Sequence, residues 1–119
     1  MTKYIKQTNP FVIPTSDGKI MEEHFGHTNG NEELSLAIMK APSGWSEPFQ
    51  TPEFDEYTYV IKGKKQISID SDKIILNAGE SIKILKGSRV QYANPFDEAC
   101  EYIAICTPSF SVGLANREE

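Results

Sequence analysis

The chain has 119 residues, a length that fits a single domain with one hydrophobic core. Its 39% hydrophobic and 24% charged residues are typical of a soluble domain, and its net charge of −5 argues against a nucleic-acid partner. No apolar run approaches the roughly 20 residues of a membrane span, and the first residues lack the apolar segment of a signal peptide. We therefore expect a cytoplasmic protein with no membrane partner.

The chain shows little helical periodicity and consists mainly of short extended segments between turn residues. Residues 1–18 are expected to form an irregular lead-in, and residues 109–119 a tail packed on the domain. Residues 50–54 are extended, but Pro52 keeps them out of a central ladder. Eight or nine short strands are predicted, including those over residues 19–24, 34–41, 56–62, 66–70, 73–76, 81–85, 89–93 and 100–106.

Three lysines surround the turn at Gly63. Lys62, Lys64 and Lys65 are expected to extend into water from a hairpin, because the predicted strand after the turn begins only at residue 66. This places all three side chains outside the core.

The two cysteines belong to one predicted strand. Cys100 and Cys106 are six residues apart, which corresponds to roughly 20 Å along an extended chain and is far beyond the reach of a disulfide. Two free, buried thiols suit a reducing compartment. This supports the cytoplasmic assignment.

Two groups of residues are separated by characteristic intervals along these strands. The first group is Gly44, Gln50, Pro52, Glu56 and Gly63, and the second is Gly79, Gly87, Val90 and Asn94. The intervals resemble the two motifs of the cupin superfamily. The first family motif is a glycine, His-x-His after five residues, then a glutamate and a second glycine. The second motif includes a glycine, a further histidine and an asparagine. The resemblance implies an all-β fold, a jelly-roll barrel (double-stranded β-helix), over residues 19–108.

The resemblance also indicates which side chains would hold a metal ion. Metal-binding cupins use three histidines and one glutamate, and the matching positions here are Gln50, Pro52, Glu56 and Val90. Proline and valine side chains cannot bind a metal, so we expect no metal cofactor. An alternative is a divalent ion held by Glu56 and Gln50 together with His24 or His27.

The remaining candidates point to a pocket in the barrel lumen. Side chains alternate along a strand, so an inward Glu56 implies an inward Thr58. Burial would raise the pKa of that carboxyl group and suit it to catalysis as a general acid or base. The other predicted ligand-binding residues are Gln50, Thr58, Tyr92, Trp45 as a lid at the mouth, and Arg89 as compensation for the acidic loop at Glu47, Glu53 and Asp55.

The same alternation turns Tyr57, Tyr59 and Ile61 outward. A stripe of three large residues requires cover, and the resemblance to cupins, which commonly dimerise, suggests a homodimer.

Together these observations predict a cupin-fold protein that binds a small polar metabolite, either sugar-like or carboxylate-bearing, without the usual metal site. One alternative is a metal-dependent isomerase, lyase or dioxygenase using Glu56 with His24 or His27. Another is a dimeric interaction protein without catalytic activity. Whether the protein is an enzyme stays open at this point.

Overall fold

The computed structural model describes residues 3–119 and consists almost entirely of β-strands. A 3-10 helix covers His27–Asn29, and a one-turn helix α1 covers Val112–Ala115. No helix in this range is long and apolar enough to cross a membrane. The strands in chain order are β1 Phe11–Val12, β2 Ile20–Phe25, β3 Ser35–Ala41, β4 Trp45–Ser46, β5 Asp55–Lys62, β6 Lys64–Ile69, β7 Asp72–Asn77, β8 Ser81–Ile84, β9 Val90–Asn94 and β10 Cys100–Thr107.

The strands form two antiparallel sheets. The larger sheet has the order β1-β2-β3-β10-β5-β8, and the smaller has the order β4-β9-β6-β7. Neighbouring strands such as β3 and β10 are far apart in sequence, as in the crossed connections of a jelly roll. The hydrophobic core contains residues from both sheets, including Met39, Tyr102 and Val60 from the larger and Ile67 and Val90 from the smaller. The all-β jelly-roll prediction is confirmed.

Most predicted strands agree with the structure to within two residues. The differences are the two-residue strands β1 and β4, which are too short to produce a periodic sequence signal. Residues 50–54 contain no strand, and only Gln50 forms isolated bridges, one to Val90 and one to Arg117. Residues 1–2 of the predicted lead-in lie outside the described part of the chain.

Alternation along β5 places its side chains as the sequence predicted. Glu56, Thr58 and Val60 are buried, whereas Tyr57 and Tyr59 are exposed on the opposite face. The neighbouring strand β10 continues both sides of the sheet, because Ala104 pairs with Thr58 on the inner face and Ile103 pairs with Tyr59 on the outer face. The barrel therefore has a defined interior to which β5 contributes a carboxyl group and a hydroxyl group.

The turn between β5 and β6 depends on a glycine. Gly63 has a φ of 80°, a conformation that side-chain-bearing residues rarely adopt. A Cβ atom at this position would also lie 2.5 Å from the backbone oxygen of Ala99. This tight turn joins strands that belong to different sheets, and it fixes which β6 residues face the interior.

Candidate functional site

The barrel interior contains a small cavity lined by an unusual number of polar side chains. Its volume is about 20 Å³, which is enough for one or two water molecules. Hydrophobic side chains such as Met21, Met39 and Phe110 cover part of its wall. The polar residues that border it are Lys19, Glu47, Gln50, Glu56, Lys65, Tyr92, Tyr102 and Arg117.

Lys65 lies inside the barrel, so its expected position in a solvated turn is wrong. The strand β6 begins at Lys64, earlier than predicted, and its alternation turns Lys65 inward together with Ile67. Only 2% of Lys65 is exposed. Its Nζ atom lies 3.7 Å from the ring centroid of Tyr102 and 4.1 Å from that of Tyr92, within cation–π range.

Burial is also the main influence on the ionisation of Lys65. Removal from water lowers the pKa of its amino group to about 8, although the nearby carboxylates of Glu56 and Glu47 favour the charged form. Within residues 3–119, no carboxylate oxygen lies within 4.0 Å of this amino group. Lys65 is therefore a buried amine without a close ion-pair partner.

Glu56 faces the same cavity from β5. Its Oε1 atom lies 3.8 Å from the Sγ atom of Cys106, the residue opposite it on β10. Burial raises the pKa of the Glu56 carboxyl group, and the positive charge of Lys65 opposes this effect. The site thus combines an acid with a raised pKa and an amine with a lowered pKa.

A second group of charges lies at the mouth of the cavity. The buried carboxylate of Glu47 pairs through Oε2 with Lys19 Nζ at 3.2 Å and with Arg117 Nη2 at 3.3 Å. The Arg117 Nε atom also donates a hydrogen bond of 3.2 Å to Gln50 Oε1. The side chain of Glu47 is only 4% exposed, and these two cations are its ion-pair partners.

The C-terminal segment holds Arg117 over the cavity. The backbone nitrogen of Glu118 donates to the oxygen of Phe49 at 2.8 Å, and Asn116 Nδ2 donates to the oxygen of Thr51 at 3.1 Å. Residues 116–118 therefore lie along the loop that carries Gln50 and close the mouth.

The structure places the other predicted site residues at varied distances from this cavity. Thr58 is fully buried but does not border the cavity, and its Oγ1 atom has no hydrogen-bond partner among the described residues. Trp45 is buried rather than lid-like, and its Nε1 atom donates to Asp17 Oδ2 at 2.8 Å. Arg89 lies on the surface, where it forms a bidentate pair with Glu118. Charge compensation for Glu47 thus comes from Lys19 and Arg117, and not from Arg89.

Neither histidine borders the cavity. His24 is half-buried on β2, and His27 is exposed at the start of the 3-10 helix. Residues 3–119 contain no group of three or more His, Cys, Asp or Glu side chains placed to hold a metal ion. At the motif positions, Gln50 is engaged by Arg117 and the space beside Glu56 is bordered by the Lys65 amine. These residues do not fit the metal centre that the family resemblance implies.

Sequence reasoning missed five of the polar residues at the site: Lys19, Glu47, Lys65, Tyr102 and Arg117. Lys65 could have been found, because it shares parity with the apolar Ile67 and Ile69. The same parity links Lys19 to the buried Met21. Arg117 lies in the tail, where no periodic pattern indicates which way a side chain points.

The chain matches the model of the cupin domain over residues 37–106, more than half of its length. A solved structure described as an RmlC-like cupin from Shewanella frigidimarina has a TM-score of 0.74 at 15% identity, covering 92% of this chain and 93% of that chain. At this identity the likeness concerns the fold alone.

Two sequence relatives are considerably longer than this chain. A Myxococcus xanthus protein described as endoribonuclease YbeY is 42% identical over 108 residues, which are 90% of this chain and 37% of that protein. A Clostridioides difficile protein described as acetate kinase EutQ is 44% identical over 45 residues, 38% of this chain and 29% of that protein. The match to the cupin domain spans both motifs and the strands that carry them, and the chain belongs to the cupin family.

Proposed function

We propose that this cupin binds a small carboxylate in its barrel lumen without the help of a metal ion. The observation that carries the proposal is the charge of the cavity wall. Among the described residues that border it, Lys19, Lys65 and Arg117 are basic, whereas only Glu47 and Glu56 are acidic. A buried site with excess positive charge is stabilised by an anionic ligand, because buried charges require partners.

The pairing of these groups indicates where the ligand would bind. Glu47 already holds Lys19 and Arg117 at its single close oxygen, Oε2, whereas Lys65 has no carboxylate within 4.0 Å in residues 3–119. A ligand carboxylate beside Lys65 would supply the missing partner through a charge-assisted hydrogen bond.

The relatives offer limited support. The C. difficile relative is named for acetate, a small carboxylate, and its match of 45 residues covers part of this domain. The M. xanthus relative described as an endoribonuclease is matched over 37% of its length, and a cavity of about 20 Å³ inside the barrel is too small for an RNA chain. The excess of basic side chains in the cavity wall favours a carboxylate-bearing ligand over a sugar-like one.

Access to the lumen requires a movement. A cavity of about 20 Å³ holds one or two waters, so a ligand the size of acetate or larger must displace part of the wall. The segment at residues 116–118 is the candidate, because it is attached at its edge by the hydrogen bonds to Phe49 and Thr51.

Thermal unfolding in the presence of small ligands tests the proposal. Acetate, propionate and glycolate are expected to raise the melting temperature, because a ligand that binds only the folded state stabilises it by about 2.7 kcal/mol at one hundred times its dissociation constant. Acetamide, which has nearly the shape of acetate but no charge, is expected to have no effect. Lys65→Met is expected to abolish the acetate response, and Lys64→Met, at an exposed neighbouring position, to retain it.

Equal stabilisation by acetamide, or an acetate response that survives in Lys65→Met, would refute the carboxylate site. Elemental analysis of the purified protein checks the metal-independent part. A stoichiometric divalent metal that is lost in Glu56→Ala and His24→Ala would favour the metalloenzyme alternative instead.

We also propose that the outer face of the larger sheet joins two copies of the chain. Tyr57 and Tyr59 are 39% and 46% exposed, and their cross-strand neighbours Ile105 and Ile103 extend the apolar surface across β10. These residues form a continuous apolar face rather than scattered exposed side chains, and Lys83 on β8 lies at its edge, with Nζ 5.1 Å from the centroid of the Tyr57 ring.

Analytical ultracentrifugation tests the dimer. Tyr59→Asp is expected to convert a dimer into a monomer, because it places a charge in the centre of the apolar face. Ile75→Asp is the matched control, since Ile75 is 50% exposed on β7 of the other sheet. A wild-type monomer at micromolar concentration would contradict the proposal.

The two free, buried thiols support the proposal of a reducing, cytoplasmic environment.

A further inference from the structure

Lys65 has a position in the site that binding alone does not use. We propose that Lys65 is a nucleophile that forms a Schiff base with the carbonyl group of a small 2-oxo acid held in the lumen. The inference rests on the carboxylate site proposed above, and it adds a covalent step and a substrate class to it.

The first argument is geometric. Lys65 lies on β6, inside the smaller sheet between β7 and β9, so a regular strand fixes its backbone. Its side chain ends at the cavity between the rings of Tyr92 and Tyr102. The nucleophile is thus held at one point of an enclosed space that is protected from bulk water.

The second argument is the ionisation of the amine. The two other cations of the site are bound to Glu47 at 3.2 and 3.3 Å, whereas Lys65 has no ion pair with the described residues. The groups that act on it are Glu56 from β5, Glu47 from the segment after β4, Lys19 before β2 and Cys100 from β10, and burial outweighs them all. The pKa of about 8 leaves a useful fraction of the neutral amine near pH 7.

The third argument is the acid beside it. The Lys65 nitrogen attacks the carbonyl carbon, the carbonyl π electrons move to oxygen, and one proton passes from the nitrogen to that oxygen to give a carbinolamine. A second proton, delivered to the hydroxyl group, lets the C–O bond break, so that one water leaves and a protonated C=N bond forms. No oxidant or reductant is needed. The Glu56 carboxyl group borders the same cavity and has a raised pKa, so it can donate the second proton and remain as a carboxylate opposite the protonated imine.

The substrate class follows from the carboxylate site beside Lys65. The bound carboxylate lies next to the amine, and the neutral form of the same amine can attack a carbonyl carbon. In a 2-oxo acid these two groups are adjacent, so one small molecule can meet both requirements. Glyoxylate and pyruvate are the shortest 2-oxo acids, so they require the smallest displacement of the wall of this cavity of about 20 Å³.

Reductive trapping tests the inference on the full chain. The protein is incubated with pyruvate and cyanoborohydride at pH 7, and the modified residue is located by peptide mass spectrometry. One carboxyethyl group is expected on Lys65. At pH 7 the neutral-amine fraction of Lys65 is roughly 300-fold higher than that of a lysine with a pKa of 10.5. Labelling of Lys65 should therefore exceed labelling of the exposed Lys64 by more than about tenfold.

Two variants and one analogue separate the possible causes of failure. The Lys65→Arg variant keeps the positive charge but cannot form the imine, so it should give no adduct at residue 65. In the Lys64→Arg variant, Lys65 should be labelled normally. Lactate lacks the carbonyl group and should raise the melting temperature without giving an adduct. Glu56→Gln should slow the labelling of Lys65.

The outcomes are distinguishable. If lactate and pyruvate both stabilise the protein but Lys65 is not labelled, the Schiff base is refuted and the carboxylate site stands. If neither ligand stabilises the protein and no adduct forms, both proposals fail. Labelling spread evenly over the surface lysines would also refute a special role for Lys65.

Discussion

Replacement of Glu47 by alanine is expected to lower the free energy of unfolding by about 3–5 kcal/mol. The Glu47 carboxylate is the close partner of Lys19, and both side chains are about 5% exposed or less. Its removal leaves the Lys19 ammonium buried without its ion pair, and also frees Arg117 from the mouth of the cavity. Urea denaturation at pH 7 measures the change.

The exposed pair between Arg89 and Glu118 provides a matched control. Glu118→Ala is expected to have little effect on stability compared with Glu47→Ala, because exposed ion pairs are screened by water. The double change of Lys19 and Glu47 to methionine should recover much of the loss, since it removes both buried charges. A single Glu47→Ala variant as stable as Glu118→Ala would show that Glu47 is not the partner on which Lys19 depends.

Replacement of Lys65 by methionine is expected to have the opposite effect and to stabilise the fold. Burial lowers the pKa of Lys65 from 10.5 to about 8, a difference that corresponds to roughly 3 kcal/mol at pH 7. Methionine fills a similar volume without requiring a charge to be buried. Glu56 loses a favourable neighbour in this variant, but it can take up a proton because its pKa is already raised.

The pH dependence identifies the cause. Between pH 8 and 10.5 the unfolded chain binds more protons at Lys65 than the folded chain, so this residue makes wild-type stability rise with pH over that range. Below pH 8 its destabilising effect is fully present. The stability difference between Lys65→Met and wild type should therefore be largest below pH 8 and disappear towards pH 10.5. Lys64→Met should show no such change, and a constant difference across this range would contradict the lowered pKa.

These opposite expectations for two buried charges suggest a division of roles. Glu47, Lys19 and Arg117 form a network that closes the mouth and supports the fold. Burial disfavours the charged forms of Lys65 and Glu56, and such shifted ionisation is a common feature of sites that perform chemistry. The Lys65→Arg and Lys65→Met variants distinguish the need for a charge from the need for an amine.

The sequence predicted the lumen residues of β5 and β9 because alternation is a local property. Glu56 follows the parity of Thr58 and Val60, and Tyr92 follows that of Val90, so each side is determined within one strand. The prediction for Lys65 was wrong because the start of β6 was misplaced, and not because alternation failed. With β6 starting at residue 66, Lys65 was assigned to the turn, although its parity with Ile67 requires an inward side chain.

The alternation of short strands and the spacing of the motif glycines determined the jelly roll, because a period of two and a tight turn are set by neighbouring residues. Only the tertiary structure decided which charges meet inside it. Arg117 contacts Gln50 across 67 positions of the chain, and Lys19 contacts Glu47 across 28. The character of the lumen depends on these contacts, since a charge acquires its pKa and its partner only where distant segments exclude water around it.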